Sequence, residues 1–224
     1  MSFCYCGSGA GAQAPDGCSV ELYRKLPYYG ELDDYRALIR GTAVLELGCG
    51  AGRLTAPMLE WGARVTAVDN CAEMLAVAPE GARRLCTDIE SLNLDGRFDL
   101  VLLASCLVNH PVQDVRVAFV ETARRHLRQH GCLLLERHDP AWLREVEPGL
   151  PSDWGSGIAM AVEAVHRKAD VVEMTLRYEA DGNVWRHSSA VTPLSEREIE
   201  ALLVGFGSFA WSGMRKRWLS AVLQ

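Results

Sequence analysis

Apolar positions along this chain follow two different periods. Between residues 44 and 136, short apolar runs at 44–47, 65–69, 98–105 and 132–136, with a further strand-like segment at 83–86, alternate with segments at 54–61, 72–77 and 115–127 whose apolar residues recur at helical spacing. Runs that short and that apolar read as strands buried on both faces. Strands alternating with helices predict an α/β fold, a doubly wound, Rossmann-like parallel sheet. Past Pro140 the period changes to two. AMAVEAVHR, VVEMTLRYE and VWRHSSAVT alternate apolar with polar residues, and Asp181-Gly182-Asn183 supplies a hairpin turn. An antiparallel meander is therefore expected over 141–192, inserted after the fifth strand.

The flanks of these regions carry their own signals. Ser195 followed three residues later by Glu198 is a capping box that starts a helix, and Gly205 and Gly207 end it. Two more strands, near 208–211 and 218–223, close the chain as an antiparallel hairpin. Residues 1–18 are rich in Gly, Ala and Ser and read as a flexible N-terminal tail, which leaves 19–224 as one domain. Between them, residues 23–40 form two short helical pieces separated by Pro27 and Gly30.

The run VLELGCGAGRL, at 44–54, turns a buried strand through glycines toward a helix. Gly48, Gly50 and Gly52 permit tight turning and close backbone approach, which suits a nucleotide-like ligand. The following strand, RVTAVDN, ends on Asp69, which sets a carboxylate at the carboxyl edge of the neighbouring strand, where it can accept hydrogen bonds from both ribose hydroxyls of an adenosine. Asp88-Ile89 and the strand FDLVLLAS follow.

In order and spacing these landmarks resemble class I S-adenosylmethionine-dependent methyltransferases from about Tyr23 to the end of the chain. The spacing G-x-G-x-G, with Glu46 two residues ahead of Gly48, differs from the G-x-G-x-x-G of nicotinamide dehydrogenases. The resemblance implies a seven-stranded sheet and S-adenosylmethionine as cofactor. Glu46 with Gly48, Cys49 and Gly50 would hold its methionine part and Asp69 its ribose. Asn70 and Met74 would lie along one side of the adenine, Asp88 would meet its amino group and Ile89 its ring. Ser105, ending the fourth strand, and Tyr28, ahead of the glycine loop, complete the cofactor candidates. Asp88 also fits a helix cap or turn, and Tyr28 and Tyr29 also fit as packing residues.

At 224 residues the chain buries a substantial core. No apolar run approaches the roughly 18 residues of a membrane span, so a cytoplasmic protein without membrane contact is expected. A net charge of −6 argues against a phosphate-binding surface, and nucleic acid is not expected as a partner. Of eight cysteines, Cys49, Cys71, Cys86, Cys106 and Cys132 fall in or beside strands as small hydrophobes. Cys4, Cys6 and Cys18 lack the paired spacing of a zinc site, so no metal is expected.

Methyl transfer from a sulfonium is an in-line displacement that needs positioning and exclusion of water. An oxygen acceptor also benefits from a base. His110, after the fourth strand, and His138, after the fifth, are the candidates, each with an alternative role in ordering its loop. Tyr29, Trp142, Tyr178, Trp185 and His187 are candidate acceptor contacts, and Trp154 a candidate lid residue. The expected activity is methylation of an oxygen, or a nitrogen, on a small molecule of the kind made in secondary metabolism, by a monomer or homodimer. The rivals are a noncatalytic adenosine-ligand-binding protein, an RNA methyltransferase and a nicotinamide oxidoreductase.

Overall fold

The computed structural model describes residues 5–153 and 156–224; Cys4 and Trp154 fall outside them. Strand β1 (Cys6–Ser8), helix α1 (Val20–Lys25) and helix α2 (Arg36–Ile39) lead into β2 (Ala43–Leu47), α3 (Thr55–Glu60), β3 (Arg64–Asp69), α4 (Ala72–Val77), β4 (Arg83–Cys86), β5 (Phe98–Leu103), α5 (Gln113–His126) and β6 (Leu127–Glu136). Helix α6 (Pro140–Glu145) then precedes β7 (Ser152–Asp153), β8 (Ala159–Lys168), β9 (Val171–Ala180) and β10 (Asn183–Val191). Helix α7 (Glu196–Leu202), β11 (Phe206–Ser212) and β12 (Trp218–Leu223) finish the chain.

The main sheet has seven strands in the order β11-β12-β6-β5-β2-β3-β4. Strands β2 to β6 run parallel, and β12 and β11 close the sheet as an antiparallel hairpin against β6. Because side chains alternate across a strand, Val44, Leu100, Leu102 and Leu134 fill one core while Leu45, Val101, Leu103 and Leu133 fill the other. Burial on both faces explains why these strands read as continuous apolar runs. The order reverses between β2 and β5, and such switch points leave a crevice at the carboxyl ends of the strands. The expected capping box is present on α7, with the Ser195 side chain accepting from the Glu198 N–H and the Glu198 carboxylate accepting from the Ser195 N–H.

The second sheet is antiparallel, in the order β1-β10-β9-β8-β7. The meander expected over 141–192 supplies four of its strands, with β9 and β10 joined at Asp181-Gly182. The fifth comes from the segment expected to be a flexible tail. Among the described residues of that segment, Cys6, Gly7 and Ser8 pair with Ser188, His187 and Arg186. The Trp185 indole and the Ser19 hydroxyl both donate to the Ala10 carbonyl, at 2.9 and 3.1 Å. The glycines here serve close approach, since a Cβ on Gly7 would stand 1.8 Å from the Gly17 carbonyl oxygen. A composition that suggests mobility therefore records tight backbone contact. Among the described residues no helix is long and apolar enough to cross a membrane.

Candidate active site

A cavity of about 730 Å³ opens at the carboxyl ends of β2, β3, β4 and β5, roofed by the second sheet. On its floor the chain leaves β2 through Gly48, Cys49 and Gly50. Gly50 has φ +54°, and a Cβ there would meet only the Tyr23 ring, at 3.8 Å, so the space beside its backbone is open. The Gly50 N–H donates to Asp69 Oδ2 at 2.7 Å and the Cys71 N–H to Oδ1 at 2.9 Å. Asp69 thus fixes the loop, and each of its oxygens keeps a second lone pair for a ligand hydroxyl. Burial pushes its carboxyl above the ordinary range, against the pull of those two N–H groups.

Along the same wall, the Asn70 side-chain amide donates to Asp88 Oδ1 at 3.0 Å, bracing a polar edge between the buried side chains of Met74 and Ile89. Glu46 stands at the base of the cavity, 3% exposed, with the Thr55 hydroxyl donating to it at 2.5 Å. Burial raises its pKa from 4.5 to about 7. A carboxyl titrating there is only partly ionised at neutral pH, and a cation arriving beside it favours the charged form. The open glycine cradle, the diol-accepting carboxylate and the apolar slot beside a polar edge together fit an adenosine ligand with a cationic amino-acid end.

Above this floor, β5 ends in a turn with Ser105 and Cys106 both left-handed, at φ +53° and +57°. Glu136, buried at the end of β6, holds the turn by accepting the Ser105 N–H at 2.6 Å, and pairs with Arg217 on its other oxygen at the same distance. His110 follows, its ring stacked 5.9 Å from Tyr5 and edge-on to Phe119. Its Nδ1 accepts the Val112 N–H at 3.2 Å, so in the neutral ring Nε2 carries the proton and is a donor. Burial holds its pKa below the ordinary value. His138 stacks against Trp142, and burial, with Arg217 nearby, holds its imidazole down at about 4.

Asn109 ties this region together. Fully buried, it accepts the His138 N–H on Oδ1 at 2.9 Å and donates from Nδ2 to the Thr192 carbonyl at 2.8 Å. From the roof, Met174, Leu176 and Tyr178 present one face of β9, and His187, Ser189 and Val191 one face of β10.

The structure thus brings together at one cavity all the expected cofactor candidates except Tyr28, both histidines, and Trp142, Tyr178 and His187. Three expected residues lie elsewhere. Tyr28 borders a separate smaller cavity, where its hydroxyl donates to Asp33 and accepts from the Leu32 N–H. Tyr29 is exposed. Trp185 shares the cavity-facing side of β10 but lies outside the cavity, 1% exposed in a cluster with Leu22, Ile158 and Tyr178. Residues not assigned to the site from the sequence also line the cavity, among them Tyr5, Asp16, Cys18, Tyr23, Arg53 and Arg217. Asn109 and Glu136 carried a readable signal, as single polar residues beside apolar runs; the N-terminal residues carried none.

A methyltransferase-domain family model matches residues 44–131, the span that holds the glycine loop, Asp69 and Asp88. With the fold, this match supports a class I S-adenosylmethionine-dependent methyltransferase, with S-adenosylmethionine as the cofactor. It is 33% identical over 109 residues to the cypemycin N-terminal methyltransferase of a Streptomyces, covering 45% of this chain and 44% of that protein. It is 34% identical over 111 residues to a Bradyrhizobium ubiquinone biosynthesis O-methyltransferase, covering 46% of this chain and 43% of that one. The chain therefore matches less than half the length of these relatives. A sugar N-methyltransferase from a Streptoalloteichus shares the fold at TM-score 0.72 and 19% identity, over 96% of this chain and 98% of its own.

Proposed function

We propose that this chain transfers a methyl group from S-adenosylmethionine to a small-molecule acceptor, and that the acceptor atom is an amine nitrogen. One observation carries the reading: the cofactor residues at the strand ends and an aromatic recess under the second sheet belong to the same cavity, of about 730 Å³, a size that suits small ligands. Bound S-adenosylmethionine supplies the electrophilic methyl. The protein's part is to orient and to exclude water. Asp69, Asn70 and Asp88 fix the nucleoside end, and Glu46 ionises against the cationic end. Tyr5, Trp142 and Tyr178 wall the acceptor space.

The preference for oxygen rested on a histidine base, and the geometry supports nitrogen instead. His110 has its proton-accepting nitrogen engaged by the Val112 N–H and offers a donor, which suits holding a polar group next to the reacting atom. His138, with a pKa near 4, stays neutral at physiological pH and is a weak base. A neutral amine needs no base to attack. Transfer to nitrogen is also what the names of the cypemycin and sugar relatives describe, while the ubiquinone relatives are named for oxygen.

The test is a panel of matched amino and hydroxyl acceptors, amino sugars included, with product mass as readout and His110→Gln beside the wild type. The expected result is N-methyl product, with kcat in the variant falling less than tenfold. O-methyl product only, with kcat falling by about 10² to 10⁴ in the variant, would restore base catalysis. Absence of S-adenosylmethionine binding would end the methyl-transfer reading itself.

A further inference from the structure

Outside the methyl-transfer residues, the cavity wall carries a second constellation. Asp16, Cys18 and His187 each present one ligand atom, all within 4.8 Å of one another. Two come from the ordered N-terminal segment and the third from β10, 169 residues away from Cys18. Cys18 Sγ lies 3.5 Å from His187 Nε2 and 3.2 Å from Asp16 Oδ2. A tetrahedral zinc ion with ordinary Zn–S and Zn–N or Zn–O bonds separates such ligand atoms by about 3.5 Å. The two sulfur distances therefore need adjustments of only a few tenths of an ångström, while the Asp16 carboxylate and the His187 ring, within 4.8 Å of each other, close by about an ångström as the ion draws them in.

The donor set has the chemistry of a metal site. One buried thiol faces a carboxylate, an imidazole nitrogen and, at 3.0 Å, the Tyr23 hydroxyl, so its single proton is shared among several neighbours. Without a metal, that proton and the His187 ring hold a hydrogen-bonded chain, in which His187 Nε2 also lies 3.2 Å from the Asp16 carbonyl. A divalent ion would take the proton's place, with the thiol proton released to solvent on binding. Sulfur, nitrogen and oxygen together favour zinc over magnesium or calcium.

We infer that Asp16, Cys18 and His187 form a zinc site on the wall of the cofactor cavity. Three protein ligands leave a fourth position, and because all three residues line the cavity, that position opens toward it. The ion fastens residues 16–18 to β10 and so secures the segment that closes this side of the cavity. The sequence expectation against a metal rested on the lack of a C-x-x-C pair or of histidine partners in sequence spacing, and only the fold brings His187 to Cys18.

Cobalt(II) titration of the metal-stripped full chain tests this without reference to methyl transfer. One Co²⁺ per chain is expected, with the near-ultraviolet thiolate-to-cobalt band and strong visible bands of a tetrahedral site, all abolished by excess Zn²⁺. Cys18→Ser should lose the thiolate band. Asp16→Asn and His187→Ala, each checked for folding by circular dichroism, should weaken Co²⁺ binding at least tenfold. A folded wild type that shows no saturable thiolate band overturns the proposal, as does a band that survives unchanged in either His187→Ala or folded Cys18→Ser. In that case the cluster is a hydrogen-bonded clasp only.

Discussion

Replacing Glu46 with Gln is expected to stabilise the ligand-free protein near pH 8 by about 3 kcal/mol, and to have almost no such effect near pH 4.5. Burial raises the Glu46 pKa from 4.5 to about 7, and the free energy equivalent to that interval is about 3 kcal/mol. Below 4.5 the carboxyl is protonated in both folded and unfolded chains, so wild type loses nothing. As pH rises toward 7 the unfolded chain releases this proton while the folded chain retains it, and the folded state loses stability; above 7 the loss is complete. Gln carries no charge at any of these pH values, and its side-chain oxygen still accepts from the Thr55 hydroxyl. His138 acts with the opposite sign. Its imidazole, held at about 4 in the fold, costs stability as pH falls below its ordinary value of 6.5. Both proteins retain His138, so its contribution cancels in the difference. The assay is urea denaturation of the two proteins without cofactor at several pH values between 4.5 and 8.5, compared through linear extrapolation. A stability difference that stays constant with pH would refute a desolvated Glu46. The same substitution should weaken S-adenosylhomocysteine binding, because the carboxylate is lost where the cationic amino-acid end is held; stability and function are opposed at this residue.

Asp69→Ala should lower S-adenosylhomocysteine affinity about 10- to 100-fold by calorimetry, since removing a half-buried charged acceptor from a ligand hydroxyl costs roughly 1 to 3 kcal/mol. Unchanged affinity in a folded variant would remove Asp69 from the ribose site. Trp185→Ala should destabilise the fold by about 3 to 5 kcal/mol in denaturant titration, as expected for emptying a buried aromatic site. Tyr178→Phe should instead shift the acceptor KM while S-adenosylhomocysteine affinity stays within twofold. Equal effects of these two substitutions on stability and on KM would contradict their separate placement.

Much of the fold was legible because its signals are local. Strands β2, β3, β5 and β6 are buried on both faces, and that alone makes them continuous apolar runs. The hairpin at Asp181-Gly182 and the cap at Ser195 rest on residues within four positions of one another. The cofactor candidates were legible for a related reason: Glu46, Gly50, Asp69 and Asp88 all sit at or just after strand ends, so a reading of strands is also a reading of where the site lies. Acceptor-side residues were harder, because alternation gives a face but not a position along the strand. Trp185 and Tyr178 are cross-strand partners in the register, yet only Tyr178 reaches the cavity.

What the sequence determined by itself was the parallel sheet, its closing hairpin, the inserted meander and the loop for the cofactor, all of which follow from periodicity and from turns encoded over a few residues. What only the tertiary structure decided was the association of distant segments. Residues 5–18 looked mobile because glycine permits mobility, but the free edge of β10 supplied pairing partners and made those glycines points of contact. The same docking set Cys18 beside His187, and it stacked Tyr5 on the His110 ring. No local pattern carries such pairs, because their distance is fixed by sheet edges that exist only after the chain has folded.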